Sequence, residues 1–266
     1  MSADLAGFAA AYARHRAAEG RGHSGEALMA LPYLRGGPLA RQWAVRARSF
    51  ETLVGDVVAP LAKRLGRPLS VLDLGAGNGW LSWRLALAGH SAIALDIRED
   101  EVDGLGAARA LAARAEGRMQ LRPGSFAAIS APDASVDLAV FNAALHYALD
   151  LPAVLAEAAR VVRPGGRLAI VDSPFYRREA DGVAMVAEKK AGASQRFGEG
   201  ADVLLAPPFI EFLTRARLAE ASAASGLAWR RRRVLYPLWY EARPLLARLR
   251  GQRVPSRFDV WMSARP

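Results

Sequence analysis

The sequence contains no cysteine and only four histidines among 266 residues. The absence of cysteine excludes disulfides, thiolate nucleophiles, iron–sulfur clusters and cysteine-ligated zinc. The histidines lie at positions 15, 23, 90 and 146 and show no H-E-x-x-H spacing. We therefore predict no dedicated metal site.

Long apolar runs are also missing near the start of the chain. The first apolar stretch, residues 5–13, is interrupted by Arg14, His15 and Arg16. It is too short to span a bilayer, and no basic segment precedes it as in a signal peptide. These features predict a cytoplasmic protein without stable membrane insertion.

Acidic residues are outnumbered by basic ones, 26 to 36, which gives a net charge of +10. The excess lies at the two ends, while residues 71–200 are near neutral. Basic ends permit an anionic partner such as RNA. Most of the basic residues are arginine, however, and alanine is abundant, which is typical of GC-rich coding. The four arginines at 230–233 are better explained as a charged edge strand.

The order of apolar segments predicts the domain organisation. Helical spacing within residues 1–20 and 39–65 predicts an N-terminal helical lid over residues 1–66. From residue 67, short apolar runs that end at glycine or aspartate alternate with helical patterns, which predicts a doubly wound parallel α/β sheet within a domain of residues 67–266. We expect a helix over residues 209–226, and small cap elements at about residues 176–208 and 237–255.

A glycine-rich turn follows the first predicted strand. Gly75, Gly77 and Gly79 have the spacing G-x-G-x-G, and Trp80 occupies the third glycine position of a dinucleotide fingerprint. Asp73 lies two residues before the first glycine. A carboxylate there repels a pyrophosphate and attracts an ammonium group. The turn therefore favours a cationic or zwitterionic ligand over NAD.

The segment from Asp73 to Gly79 resembles the first motif, D-x-G-x-G-x-G, of the class I S-adenosylmethionine-dependent methyltransferases, and the chain looks like a type 11 small-molecule member. The resemblance implies a Rossmann-like seven-strand sheet with helices on both faces and S-adenosylmethionine as the cofactor. It implies that Asp96 binds the ribose and Ile97 packs on the adenine. The methionine portion is then held by Asp73 and the turn, which comprises Gly75, Ala76, Gly77, Asn78, Gly79 and Trp80.

Two later segments extend this resemblance. After the third strand, Ser125 and Phe126 replace the acidic residue that is usual near the adenine, so we expect Ser125 to accept one hydrogen bond and Phe126 to lie along the ring. After the fourth strand, the resemblance implies that Asn142 and Ala143 border the cofactor. The Asn-Pro-Pro motif of amide and adenine N-methyltransferases is absent there, which argues against those substrates.

The sequence leaves open the roles of the residues that would contact the methyl acceptor or cover the site. His146 is either a general base, since an unperturbed histidine titrates near neutrality, or a residue that only lines the site. In the lid, Arg46 either pairs with the methionine carboxylate or lies on a solvated helix face. Other candidate lid or substrate residues are Tyr33, Trp43, Tyr147, Tyr176 and Tyr240.

The sequence thus predicts a methyltransferase that acts on an O, N or C atom of a small molecule, as a monomer or a homodimer. Two alternatives stay open. One is an RNA or protein methyltransferase that uses the basic ends, and the other is a catalytically retired S-adenosylmethionine-binding regulatory module.

Overall fold

A computed structural model describes residues 3–266, with side chains from residue 5 onward, so residues 1 and 2 of the predicted lid lie outside the described residues. The chain forms a seven-stranded sheet in the order β3-β2-β1-β4-β5-β7-β6. The parallel strands are β1 (Ser70–Leu74), β2 (Ser91–Asp96), β3 (Met119–Pro123), β4 (Val136–Asn142) and β5 (Val162–Val171). Strands β6 (Arg230–Arg232) and β7 (Val260–Ala264) complete the sheet in antiparallel pairings. The predicted α/β fold class is confirmed.

Thirteen α-helices are found in the described part of the chain. Before β1 lie α1 (Ala3–Ala18), α2 (Gly25–Ala30), α3 (Ala40–Leu53) and α4 (Ala59–Leu65), the last two joined by a π-helical turn, Val54–Val58. Between the parallel strands lie α5 (Trp80–Leu87), α6 (Leu105–Arg114) and α7 (Leu151–Val161). After β5 lie α8 (Glu179–Ala191), α9 (Ala193–Phe197), α10 (Ala201–Leu205), α11 (Arg215–Ala221), α12 (Leu238–Glu241) and α13 (Arg243–Leu249).

The central strand β4 explains why the sheet is covered on both faces. All seven of its residues are buried. Leu138 and Val140 pack on the side of α3 to α6, whereas Ala139 and Phe141 pack on the side of α7 and α11. Because successive strand residues point to opposite faces, a continuous apolar run requires a helical layer on each side.

The strand order places a crevice at one edge of the sheet. The chain leaves β1 toward β2 on one side, and β4 lies on the other side of β1. Ligands of open α/β sheets bind at the carboxyl ends of the strands where the order reverses in this way. The turn after β1 and the segments after β2 and β4 all end at this crevice.

The predicted helix over residues 209–226 is wrong in its first turns. Residues 209–214 run as irregular chain, in which the amide of Ile210 donates to the carbonyl of Ala148 and Leu213 exchanges backbone hydrogen bonds with Pro174 and Tyr176. The helix begins at Arg215, after Thr214, whose hydroxyl accepts from the amide of Arg217 at 3.2 Å. These tertiary hydrogen bonds and the N-cap outweigh the helical spacing of the apolar residues.

The N-terminal helices divide between two locations. Phe8 of α1 packs on Tyr147 and Phe209, which lie beyond the carboxyl edge of the sheet. Helices α3 and α4 instead contribute Phe50, Leu53 and Leu61 to the core on one face of the sheet. Helix α1 therefore lies beyond the carboxyl edge of the sheet, whereas α3 and α4 pack mainly on its face.

Candidate functional site

The turn after β1 requires glycine at two positions. Gly75 has φ +74°, and a Cβ added to it would lie 2.4 Å from the Cβ of Ala144. Gly79 has φ +71°, and its added Cβ would lie 2.6 Å from Met119. A larger residue would strain the backbone at both positions, and at Gly75 it would also clash with Ala144, whereas at Gly79 the end of the Met119 side chain would have to move. The turn is therefore packed tightly against the segment that follows β4.

The turn amides already donate within the protein. The amides of Gly75 and Ala76 donate to the carbonyl of Leu95, and the amide of Gly79 donates to the carbonyl of Ala76. The amide of Gly77 donates to Oδ2 of Asp96 at 2.7 Å. The turn thus lets a ligand approach the backbone closely, but few of its amides remain free to donate hydrogen bonds to that ligand.

Asp96 ends β2 beside this turn. Besides the Gly77 bond, its Oδ1 accepts from the amide of Arg98 at 2.8 Å. Burial raises the pKa of Asp96, with the positive charge of Arg98 and the two backbone donors acting against the shift. Each carboxylate oxygen can accept a second hydrogen bond, so Asp96 keeps capacity for two donors from a ligand.

Asp73 is placed differently from Asp96. It is fully buried in β1 and does not line the cavity described below. Its Oδ2 accepts from the hydroxyl of Ser82 at 2.9 Å, and Oδ1 has no hydrogen-bond partner among the described residues. Burial raises the pKa of Asp73 to about 7. The structure gives Asp73 a contact with α5, not with the crevice.

The carboxyl edge of the sheet encloses a cavity of about 460 Å³. This volume lies within the range of small-molecule sites. The structure brings together many of the sequence-predicted residues in its wall: Trp43, Arg46, Gly75, Ala76, Gly77, Asn78, Trp80, Asp96, Ile97, Ser125, Phe126, Asn142, Ala143, His146 and Tyr147.

Five predicted residues do not line this cavity: Asp73, Gly79, Tyr33, Tyr176 and Tyr240. Tyr33 is 44% exposed and lies against the guanidinium of Arg84. Tyr176 accepts a hydrogen bond from Arg253 at 3.1 Å. Tyr240 is buried against Tyr236, with ring centroids 4.3 Å apart.

Arg46 faces the cavity, and no carboxylate of the described residues lies within ion-pair distance of its guanidinium, although the charge of Asp172 in the same cavity acts on it. Its guanidinium lies over the Trp43 ring at 5.2 Å, and it has no ion pair or hydrogen bond among the described residues. Trp43 is held in place because its Nε1 donates to Nε2 of His23 at 3.0 Å and its ring packs edge-on against Trp80. Burial lowers the pKa of Arg46, as expected for a cation removed from water.

Asp172, which is not among the predicted site residues, lines the same cavity. It follows β5 directly, with φ +53° and 6% exposure. Neither carboxylate oxygen has a hydrogen-bond partner among the described residues. Burial raises the pKa of Asp172, and the positive charge of Arg46 and the nearby hydroxyl of Ser49 act against the shift. Its signal in the sequence was a polar residue at the carboxyl end of a buried strand, as for Asn142 at the end of β4.

His146 lies in a short 3₁₀ turn, Leu145–Tyr147, after β4. Its Nδ1 is buried and has no hydrogen-bond partner among the described residues. Burial, together with the positive charges of Lys189, Arg46 and Arg16, lowers the pKa of His146 to about 3. The imidazole is therefore neutral at physiological pH and is a weaker base than an exposed histidine.

Helix α1 is attached to the site by polar contacts. Nε of Arg16 donates to Oδ2 of Asp103 at 2.7 Å, and Oδ1 of Asp103 accepts from the side chain of Asn78 at 3.0 Å. The hydroxyls of Tyr12 and Tyr147 lie 2.9 Å apart in a hydrogen bond. These contacts link the helix to the glycine turn and to the segment after β4, so α1 covers the cavity.

Residues 3–266 contain neither a metal-binding cluster nor a membrane-spanning helix. No group of three or more His, Asp or Glu side chains there has the proximity to hold a metal ion. None of the described helices combines the length and the apolar character that a membrane span needs.

Residues 72–170 match the protein family described as a methyltransferase domain. The chain is 35% identical over 105 residues to malonyl-[acyl-carrier protein] O-methyltransferase of Erwinia pyrifoliae, which covers 40% of this chain and 37% of that protein. It is 36% identical over 103 residues to 27-O-demethylrifamycin SV methyltransferase of Amycolatopsis mediterranei, covering 38% of each chain. The chain thus spans about two fifths of the length of these curated relatives.

A solved structure extends the likeness to the whole fold. Magnesium protoporphyrin IX methyltransferase of Synechocystis, crystallised with bound S-adenosylhomocysteine, matches with a TM-score of 0.55 at 19% identity. The match covers 88% of this chain and 91% of that one. At 19% sequence identity, this match shows a similarity of fold alone.

Proposed function

We propose that this chain transfers a methyl group from S-adenosylmethionine to a small-molecule acceptor, and the match of residues 72–170 to the methyltransferase domain family supports this. The observation that carries the proposal is the cavity at the carboxyl edge, where the glycine turn, Asp96 and Asn142 meet. The two curated relatives are named for substrates on an acyl-carrier protein and a rifamycin, and one is named an O-methyltransferase. Their names support an oxygen acceptor.

The residues present fit the cofactor at three points. Asp96 retains acceptor capacity toward the cavity, which suits the two ribose hydroxyls. Arg46 offers an unpaired guanidinium to the amino-acid carboxylate. The backbone at Gly75 and Gly77 allows close approach, and Ile97 and Phe126 offer apolar contacts to the adenine.

S-adenosylmethionine supplies, when bound, a methyl group on a sulfonium with a good leaving group. The protein then has to align the acceptor and exclude water. Phe8, Tyr12, Tyr147 and Phe209 form a contiguous aromatic cluster on the outer side of the cavity, with ring centroids 4.8 to 6.0 Å apart. We propose that this cluster, held by α1, shields the reaction from water and packs against the acceptor.

We propose that Asp172 and His146 supply the polar contacts to the methyl acceptor. His146, neutral with a pKa of about 3, accepts a hydrogen bond but is a poor proton acceptor. Asp172 lines the cavity, neither of its buried carboxylate oxygens has a hydrogen-bond partner among the described residues, and burial raises its pKa. Asp172 therefore binds the hydroxyl or amino group of the acceptor, and it is the better candidate for a base if the acceptor needs one.

Calorimetric titration with S-adenosylhomocysteine tests the proposal without knowledge of the acceptor. We expect one site per chain, and much weaker binding of NAD, because Trp80 replaces the third fingerprint glycine. Absence of S-adenosylhomocysteine binding, or tighter binding of NAD, would show that the proposed function is wrong.

A further inference from the structure

Exposed apolar side chains are concentrated in one short stretch near the C-terminus. We call it the leucine face; it consists of Leu235, Leu238, Trp239, Leu245, Leu246 and Leu249. Leu238 is 86% exposed and Leu249 is 76% exposed. The other large apolar residues exposed in the described part of the chain are spread over several separate elements. Single exposed residues are ordinary, whereas a contiguous group marks an interaction surface.

The inner side of the same segment is well packed. Tyr240 of α12 is 3% exposed, and its ring lies against Tyr236 and Phe258. Phe258 in turn lines the cavity. The segment is therefore anchored through its tyrosines, and the leucine face makes no comparable contribution to this packing.

The surroundings of the leucine face are basic. Arg41, whose guanidinium lies 5.6 Å from the centre of the Trp239 ring, and Arg248 and Arg250 have no ion-pair partner among the described residues. The one acidic residue between positions 235 and 250 is Glu241. Its two carboxylate oxygens accept from Arg257 at 2.7 and 2.9 Å, which neutralises it. The face is thus bordered by uncompensated positive charge.

A basic groove lies beside α13. It has a volume of about 610 Å³, and Arg243, Arg250 and Arg253 lie in its wall next to Leu246. Arg253 is paired with Glu188 at 2.7 Å, whereas Arg250 is free of ion pairs among the described residues. Guanidinium groups in such a groove suit a phosphate group, since they bind its oxygens by charge-assisted hydrogen bonds.

Leucine and tryptophan side chains that project outward among arginines are typical of helices that lie in a membrane interface. A second copy of the chain would bring the same arginines face to face, which like charges disfavour. We propose that the leucine face docks onto an anionic phospholipid bilayer, with the apolar side chains in the acyl boundary and the neighbouring arginines on the lipid phosphates. This docking does not depend on the proposed methyl transfer.

Sedimentation with lipid vesicles tests the docking. The full chain should cosediment with vesicles of phosphatidylcholine and phosphatidylglycerol, weakly with phosphatidylcholine alone, and less at high salt. Leu238→Ser with Leu249→Ser, and separately Arg248→Glu with Arg250→Glu, should each weaken binding by roughly tenfold or more.

Matched controls lie at the opposite edge of the sheet. Leu87→Ser removes an exposed leucine of α5, and Arg109→Glu with Arg118→Glu makes the same charge change near β3; both should leave vesicle binding unchanged. Thermal melts would confirm that every variant is folded. The docking proposal is wrong if the wild-type chain does not cosediment with anionic vesicles. It is also wrong if the variants of the leucine face and of Arg248 and Arg250 bind the vesicles as well as the controls do. It is also wrong if the double variant Leu238→Ser with Leu249→Ser binds vesicles like the wild type but dissociates a dimer. The same holds if that variant binds vesicles normally but no longer captures an acidic protein.

Discussion

Oδ2 of Asp96 accepts a hydrogen bond from the amide of Gly77 at 2.7 Å. The bond joins the end of β2 to the turn after β1, so the carboxylate that we assign to the ribose also fixes the turn beside it. The same two strand ends are brought together by the parallel pairing of β1 with β2.

Replacement of Asp96 should weaken cofactor binding. Asp96→Ala removes two charge-assisted acceptors, and we expect the affinity for S-adenosylhomocysteine to fall about 10- to 100-fold. Asp96→Asn, which keeps one acceptor oxygen for the turn, should lose less. Calorimetry measures both, with Glu99→Ala as the control because Glu99 is exposed and does not line the cavity. An unchanged affinity in Asp96→Ala would exclude the ribose assignment.

Arg46 should recognise only the amino-acid end of the cofactor. Arg46→Met should lower the affinity for S-adenosylhomocysteine about tenfold, since it removes a charged hydrogen-bond donor. It should leave the affinity for 5′-methylthioadenosine, which lacks the amino acid, nearly unchanged. Arg48→Met on the same helix is the control, because Arg48 is exposed and pairs with Glu51. Equal losses for both ligands would place Arg46 elsewhere in the site.

Gly75 should be intolerant of a side chain. Gly75→Ala places a Cβ 2.4 Å from Ala144, at φ +74°, and should destabilise the fold by about 1–3 kcal/mol. Adding Ala144→Gly should restore part of that loss. Gly55→Ala, where nothing lies within 4 Å of the new Cβ, should be neutral or stabilise by about 0.5–1 kcal/mol. Urea unfolding measures the three variants, and equal stability of Gly75→Ala and wild type would contradict the turn geometry.

His146 should contribute a pH-dependent term to stability. Its pKa is about 3 when folded and near 6.5 when unfolded, so the unfolded state binds its proton first as the pH falls. The folded state therefore loses no stability to this histidine above about pH 6.5. As the pH falls from there toward 3, the free energy of unfolding decreases progressively, because only the unfolded state gains the proton. Between pH 6.5 and 5 the loss should be about 2 kcal/mol.

The measurement is the difference in unfolding free energy between wild type and His146→Gln across this range, which removes the contributions of other groups. Nitrogen chemical shifts of His146 give a direct check, since the ring should stay neutral at pH 5. A ring that titrates near 6.5 would contradict the buried environment.

The sequence was informative where a local pattern determines the structure. Asp96 and Asn142 lie together in the cavity wall because each ends a buried parallel strand, and such ends share one edge of the sheet; their contact with a cofactor stays a prediction. The glycine turn was recognisable for a similar reason, since the spacing of its glycines matches one backbone conformation.

Features that depend on distant contacts could not be derived in this way. Arg16 and Asp103 are 87 residues apart in the chain, and nothing near either residue indicates their ion pair. The depressed pKa of His146 depends on burial and on charges from α1, α3 and α8. Asp73 is buried where its carboxylate accepts a hydrogen bond from Ser82 of α5, and the motif does not specify this contact.

A crystal structure with S-adenosylhomocysteine tests the central claim most directly. We predict ribose hydroxyls within hydrogen-bond distance of Asp96, the amino-acid carboxylate at Arg46, and the sulfur facing the part of the cavity formed by Asn142 and Asp172. A ligand at saturating concentration that is absent from this cavity, or whose ribose lies away from Asp96, would contradict the assignment of this site to S-adenosylmethionine.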